Sequence, residues 1–137
     1  EITGITQDQV DGGILLGEAL VKLDEFLKET KVIESKFVFV TCGDWDLRKC
    51  LKNESKAKGL KPPEYLKSWI NIKRVYPVSP GQQKPTGMVA MLKLAGLNLE
   101  GRHHSGIDDC KNIARIAIHL MERGFKFEKS MADTVKY

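Results

Sequence analysis

The run Phe37-Val38-Phe39-Val40 constrains the fold of this chain more than any other segment. Four consecutive apolar residues rich in β-formers mark a strand buried on both faces. A strand of that kind needs helices on either side, and helical patterns flank it. Upstream, Val10, Ile14, Leu15, Leu20, Leu23, Phe26 and Leu27 approximate helical spacing around a Gly12-Gly13 interruption, predicting a helix over 15–28. Downstream, Asp44 or Asp46 opens a helix that Gly59 ends from its C′ position. Pro62-Pro63 restarts the chain into a short helix around Tyr65, and Trp69-Ile70-Asn71-Ile72 reads as a second strand. Residues 77–85 form a surface loop, and Thr86 caps a helix through Leu94 that Gly96 closes. Asp108 or Asp109 starts the last helix, which runs to Arg123 before Gly124 and buries Ile113, Ile116, Ala117 and Leu120. The order is mixed α/β without internal repeat or long linker, so the 137 residues are expected to form one domain.

A chain of this length buries about two-thirds of the surface its unfolded form exposes, enough for a core. Its longest apolar runs fall far short of the roughly 20 residues that a membrane-spanning helix takes, so no membrane partner is expected. Cys42, Cys50 and Cys110 are odd in number and lack any Cys-x-x-Cys spacing, which excludes a disulfide framework and a zinc cluster and points to a reducing compartment. The start, EITGITQDQVDGG, has no basic and apolar stretch of the signal-peptide kind, and the location expected is cytoplasmic, nuclear or both. A net charge of +4 permits a polyanionic partner, although the basic residues are scattered as on an ordinary solvated surface.

Two segments carry chemistry. Asp46 lies a few residues past the apolar run, and carboxylates at the carboxyl ends of strands in α/β sheets face the ligand crevice. The same spacing allows Asp44 or Asp46 to be a helix cap, and the neighbouring Trp45 to be either a base-stacking or a buried core residue. His104 precedes Asp109 by five residues across a Ser105-Gly106 turn, so a loop imidazole and a carboxylate in the first helical turn can converge. That pair suits phosphodiester hydrolysis, the carboxylate holding a divalent metal and the histidine taking a proton from water. An aspartate that only complements the helix dipole, beside an exposed histidine, is the structural alternative. Phosphate-binding glycine loops, HExxH and GxSxG are all absent, which removes nucleotide-fold, P-loop, zincin and serine-hydrolase readings.

Taken in order, EITGITQDQVD, FVFVTCGDWDL, SWINIKRVY and GRHHSGIDDCKNIARI closely resemble the DEDDh exonuclease superfamily. More narrowly, they look like its enhanced-RNAi and histone-mRNA 3′ exonuclease family. The likeness runs from Ile2 to about Phe127. It implies an RNase H-like fold, a mixed sheet flanked by helices, with two Mg2+ or Mn2+ ions held by four carboxylates and a histidine as general base. It also implies a 3′-to-5′ exoribonuclease that releases 5′-nucleotides from single-stranded or overhanging RNA 3′ ends, with possible ribonucleoprotein partners. Matched to the family motifs, Asp46 is the acidic residue of the second motif, and His104 and Asp109 are the histidine and aspartate of the third. Asp108 becomes a neighbour instead of a ligand. Thr3, Gly4 and Ile5 match a segment near the terminal nucleotide, and Trp45 would line the same pocket.

Two departures qualify the resemblance. The first motif, a strand carrying Asp-x-Glu, belongs upstream of Glu1, so the chain is expected to be the carboxyl-terminal part, 1–137, of a single exonuclease domain without its amino-terminal strands. With half the carboxylates absent, these residues alone are expected to bind metal poorly and cleave little, and the Phe37–Val40 edge is left unpaired. A non-catalytic RNA-binding or assembly subunit that keeps the fold is the alternative. The second departure is His103, where the family commonly has proline, which places a second imidazole beside the expected base. Discrimination between RNA and DNA would need contacts to the 2′-hydroxyl.

Overall fold

The computed structural model, which describes residues 2–137, moves the strand buried on both faces from the Phe37 run to Trp69-Ile70-Asn71. The sheet has the order β1-β2-β3. Strand β1 (Phe39–Thr41) pairs in parallel with β2 (Ser68–Asn71) in the register Phe39↔Trp69, Val40↔Ile70, Thr41↔Asn71. Strand β3 (Asp133–Thr134) pairs antiparallel on the far side of β2, with Trp69 opposite Asp133. Strand β2 is therefore central, and Trp69 and Ile70 are fully buried. Strand β1 is only half-buried, which corrects the expectation drawn from its composition: within the described residues it is an edge strand with a neighbour on one side. Its side chains still alternate between two faces. Val40 packs against a core of Ile72, Tyr76, Met88, Met91, Leu92, Ile116 and Leu120. Phe39 joins Phe37 and Tyr65 in an aromatic cluster with ring centroids 5.7–6.1 Å apart.

The helices follow the sequence pattern closely. Helix α1 (Gln7–Asp11), not foreseen, is started by a capping box in which Thr6 and Gln9 each bond the other's backbone. Helix α2 (Leu16–Glu29) matches the periodic segment. After β1, residues 46–57 form one helix whose first part, Asp46–Leu51, is π-helical and whose remainder is α3 (Lys52–Ala57). Gly59 follows with φ +62°, the left-handed conformation that ends helices. A 3-10 turn, Glu64–Lys67, leads into β2, and the short α4 (Ile72–Val75) leaves it, so Ile72 belongs to a helix and not to the strand. Helix α5 (Met88–Ala95) packs on α6 (Gly106–Glu122), and Ile116 and Leu120 face the core as expected. Helix α5 is capped by Gly87 and not by Thr86, and α6 starts at Ser105-Gly106, ahead of the predicted aspartates. Among the described residues no helix is long and apolar enough to cross a membrane.

Candidate active site

The end of β1 is where the site begins. Thr41 Oγ1 donates to the Gly43 carbonyl at 2.6 Å, and Gly43, at φ +135°, turns the chain in a way few other residues tolerate. The next residue, Asp44, is anchored from below: Trp69 Nε1 donates to its carboxylate at 2.9 Å and Arg74 pairs with it. Burial works against ionisation of Asp44, but the hydrogen bonds from Trp69 and Asn71 and the charges of Arg74 and Arg48 outweigh it, holding its carboxyl below the usual range. Asp44 is thus committed to the scaffold. The helix after it is capped at Trp45 without any side-chain bond, so neither aspartate acts as the cap that spacing allowed. What the turn presents outward is Trp45, 67% exposed, and Asp46; the buried tryptophan is Trp69.

Helix α6 supplies the opposing wall. Its first turn carries Asp108 and Asp109, and each holds one backbone N–H of the preceding loop. Arg102 N–H donates to Asp108 at 2.9 Å, and His104 N–H donates to Asp109 at 3.2 Å. The bond from the Arg102 amide, ahead of the opposing effect of burial, places the Asp108 carboxyl below its ordinary range. His104 adopts φ +69°, unusual for a residue with a side chain, and this turn stacks its ring on that of His103, with centroids 3.9 Å apart. Strained backbone of this kind persists only where its surroundings over-determine it. Here they do: buried Asn112 donates to the carbonyls of Glu100 and Asp108 at 2.7 and 2.8 Å and accepts from Glu100 N–H. Arg115 adds a bond to the Asn98 carbonyl and an ion pair with Glu100.

The two walls meet. A cavity of about 350 Å³ is lined by Asp46 from one side and by His103, Gly106, Asp109 and Cys110 from the other, with Cys42 at its floor. Burial pushes the Cys42 thiol up from its ordinary pKa. His104 is not on this lining; it stands behind His103, and one ligand atom of each lies within 4.8 Å of one from Asp109. A second, wider depression of about 590 Å³ is lined by Thr3, Gly4 and Ile5 together with Arg102, Ser105 and Ile107. Gly106 lines both, so the two depressions adjoin. Arg102 ties the amino-terminal segment to the histidine loop: its guanidinium lies over Gly4, where a Cβ would sit 1.9 Å from Nη1, and it donates to the Ile2 carbonyl. The structure therefore gathers Asp46 and Asp109 about one cavity and Thr3, Gly4 and Ile5 about its neighbour, while Trp45 lines neither.

Sequence reasoning overlooked Asn112 and Arg115 and weighed Asp44 only as a helix cap. For Asn112 a signal existed: it shares the spacing of Ile116 and Leu120, a polar residue on the buried stripe. The roles of Asp44 and Arg115 depend on partners distant in sequence.

A mixed sheet flanked by helices, with acidic residues at a strand end and a helix start about one cavity, is the architecture that solved nuclease domains of the RNase H-like class share with this chain. The sequence model of the exonuclease family, RNase_T, matches residues 1–117, and the chain belongs to that family, the DEDDh 3′-5′ exonucleases. It is 42% identical over 132 residues to ERI1 exoribonuclease 3 of Bos taurus, covering 95% of this chain and 39% of that relative. Among solved structures it resembles the nuclease domain of 3′hExo, described as a DEDDh family member bound to rAMP, with TM-score 0.81, 36% identity, and coverage of 93% of this chain and 64% of that one. It also resembles a 3′-exonuclease described in 3′-end specific recognition of histone mRNA stem-loop, at TM-score 0.80 and 33% identity, covering 98% of this chain and 64% of that one. The chain spans about two-fifths of the length of the curated relative. The family's exonucleases depend on divalent metal.

Proposed function

We propose that this chain is the carboxyl-terminal part of a 3′-to-5′ exoribonuclease domain that removes 5′-nucleotides one at a time from RNA 3′ ends, single-stranded or overhanging. The observation that carries this reading is the placement of Asp46 and Asp109 on opposite walls of one cavity, next to the depression lined by Thr3, Gly4 and Ile5. Support for RNA comes from the likeness to a domain bound to rAMP and to one that recognises a histone mRNA 3′ end.

The donor chemistry fits a hard divalent cation: both cavity carboxylates offer oxygen, which suits Mg2+ and Mn2+. Asp46 and Asp109 would hold it, with carboxylates of the family's first motif completing the set. When bound, such an ion neutralises charge that builds on the phosphate and favours deprotonation of the attacking water. The remaining roles belong to this chain's own residues. The depression lined by Thr3, Gly4 and Ile5 takes the terminal nucleotide and sets the scissile phosphate toward Gly106. Trp45, exposed beside Asp46, offers a face for stacking on a base. His104, the histidine of the family's third motif, takes the proton from water; its backbone is fixed by Asp109, and its ring, stacked on His103 outside the cavity lining, turns toward the cavity to do so.

The test uses the complete polypeptide that carries this sequence, with magnesium and a 5′-labelled single-stranded RNA. Stepwise shortening from the 3′ end is expected, and its absence would sink the proposal. Replacing His104 by Ala should slow cleavage by about two to four orders of magnitude. A matched DNA oligonucleotide reports whether the 2′-hydroxyl is read.

A further inference from the structure

His103 introduces a donor that hard-cation phosphodiester chemistry does not call for. One ligand atom from each of His103, His104 and Asp109 lies within 4.8 Å of the other two. Both imidazoles are exposed, and they stack at 3.9 Å with 17° between their planes because His104 turns the chain at φ +69°. The backbone beneath is braced by Asp108, Asp109 and Asn112, and because imidazole lone pairs lie in the ring plane, the two stacked rings must turn out of their stack for the three donors to converge. A tetrahedral ion with bonds of about 2.0–2.1 Å brings its ligands to about 3.3 Å of one another, a small contraction for two exposed rings. The positive end of α6 opposes any cation, but two carboxylates in its first turn, Asp108 and Asp109, offset it.

Donor type decides which ion fits. Two imidazole nitrogens and one carboxylate suit zinc and its neighbours, whereas magnesium demands oxygen in octahedral array. We propose that His103, His104 and Asp109 form a binding site for a zinc-like transition-metal ion, with three protein ligands and an open fourth position. An ion there occupies the His104 lone pair and competes for Asp109, so it inhibits the proposed exonuclease. The binding site stands on the cluster alone, and its inhibitory effect rests on the proposed activity.

The experiment is a titration of the protein with Zn2+ against a chromophoric zinc chelator, in excess Mg2+ and without RNA. One equivalent of zinc should leave the chelator. His103→Ala and Asp109→Asn should each weaken that capture about tenfold or more, whereas His119→Ala, on the last turn of α6, should not, with circular dichroism confirming that each variant is folded. The site is overturned if no zinc is captured, if His103→Ala binds as before, or if the loss instead follows Cys42→Ser or Cys110→Ser, since both thiols line the neighbouring cavity. In the RNA assay, His103→Ala should raise the zinc concentration needed for half-inhibition by the same factor. An inactive protein that still captures zinc through His103 would sink the proposed activity and leave the metal site standing.

Discussion

Asp108 and Asp109 are adjacent carboxylates with different duties, separated by the backbone amide that each one holds. Asp108 closes the turn at Gly101 so tightly that a Cβ on Gly101 would lie 2.5 Å from its carboxyl carbon, and Gly101 itself has φ +73°. Gly101→Ala therefore incurs both left-handed strain, about 1 kcal/mol, and displacement of Asp108. A lowered melting temperature together with slower RNA cleavage is expected; an unchanged melting curve would show that the turn does not depend on this contact. Asn112→Ala should cost about 1–3 kcal/mol in urea unfolding, because it strands the Glu100 amide and carbonyl in a part-buried place. Gly106 behaves differently: an added Cβ meets no protein atom within 4 Å, yet the residue lines both depressions. Gly106→Val should keep the fold and raise KM for RNA, and a KM equal to wild type would exclude the passage of substrate past this point. At this scale the spacing of Asp46, His104 and Asp109 left helix capping open, and the family resemblance singled them out; Asp46 and Asp109 do line one cavity, whereas His104 does not. Asn112 shares the buried spacing of Ile116 and Leu120, but its bonds to Glu100 and those of Arg115 to Asn98 and Glu100 depend on a loop whose position only the tertiary fold sets.

The element that carries Asp46 is held from several directions. Arg74 bridges Asp44 to Asp133 of β3, Arg48 approaches the same Asp133 at 3.4 Å, and Tyr137 donates its hydroxyl to the Leu47 carbonyl at 3.2 Å. The π-helical start, Asp46–Leu51, disturbs the regular ladder in this stretch, and such segments recur at functional sites. Helix boundaries were read from sequence within a few residues where apolar periodicity was strong, as in α2 and α6. The π-helical stretch and the two-residue β3 left no periodic trace, because both exist through contacts made by distant parts of the chain. The Asp44 anchor also gives this element a pH dependence. Its folded pKa lies below the ordinary 3.8, so its contribution to stability is fully present above that value and is lost as pH falls through the lower folded value. Asp44→Asn should consequently flatten the fall of stability below about pH 4, measured by chemical denaturation across that range. A variant whose acid profile parallels wild type would remove Asp44 as the anchor.

For the whole molecule, the arrangement of the sheet matters more than its composition. The apolar run at 37–40 suggested a fully buried strand, and its residues do have the β-forming character expected; what composition could not supply is which strand sits in the middle. Trp69, Ile70 and Asn71 have neighbours on both sides, whereas β1 presents one side with no partner among the described residues. An edge with free N–H and C=O groups and half-buried Phe39 and Val40 is a template for pairing with another strand. It carries neither a proline nor an inward charge in Phe39–Thr41 to prevent that. The 137-residue polypeptide by itself should therefore associate as its concentration rises, whereas a polypeptide in which a further strand covers β1 should not. Sedimentation velocity over a wide concentration range distinguishes the two. Boundaries that broaden and shift to larger species for the 137-residue chain are expected, and a single monomeric boundary throughout would mean that the edge is protected by twist or by the residues preceding Phe39. Because Asp46 follows this strand by five residues, whatever covers the edge also braces the turn that presents the carboxylate. Covering β1 should thus steady the turn as well as the sheet, detectable as slower amide hydrogen exchange over residues 43–47 in a polypeptide whose further strand covers β1 than in the 137-residue chain.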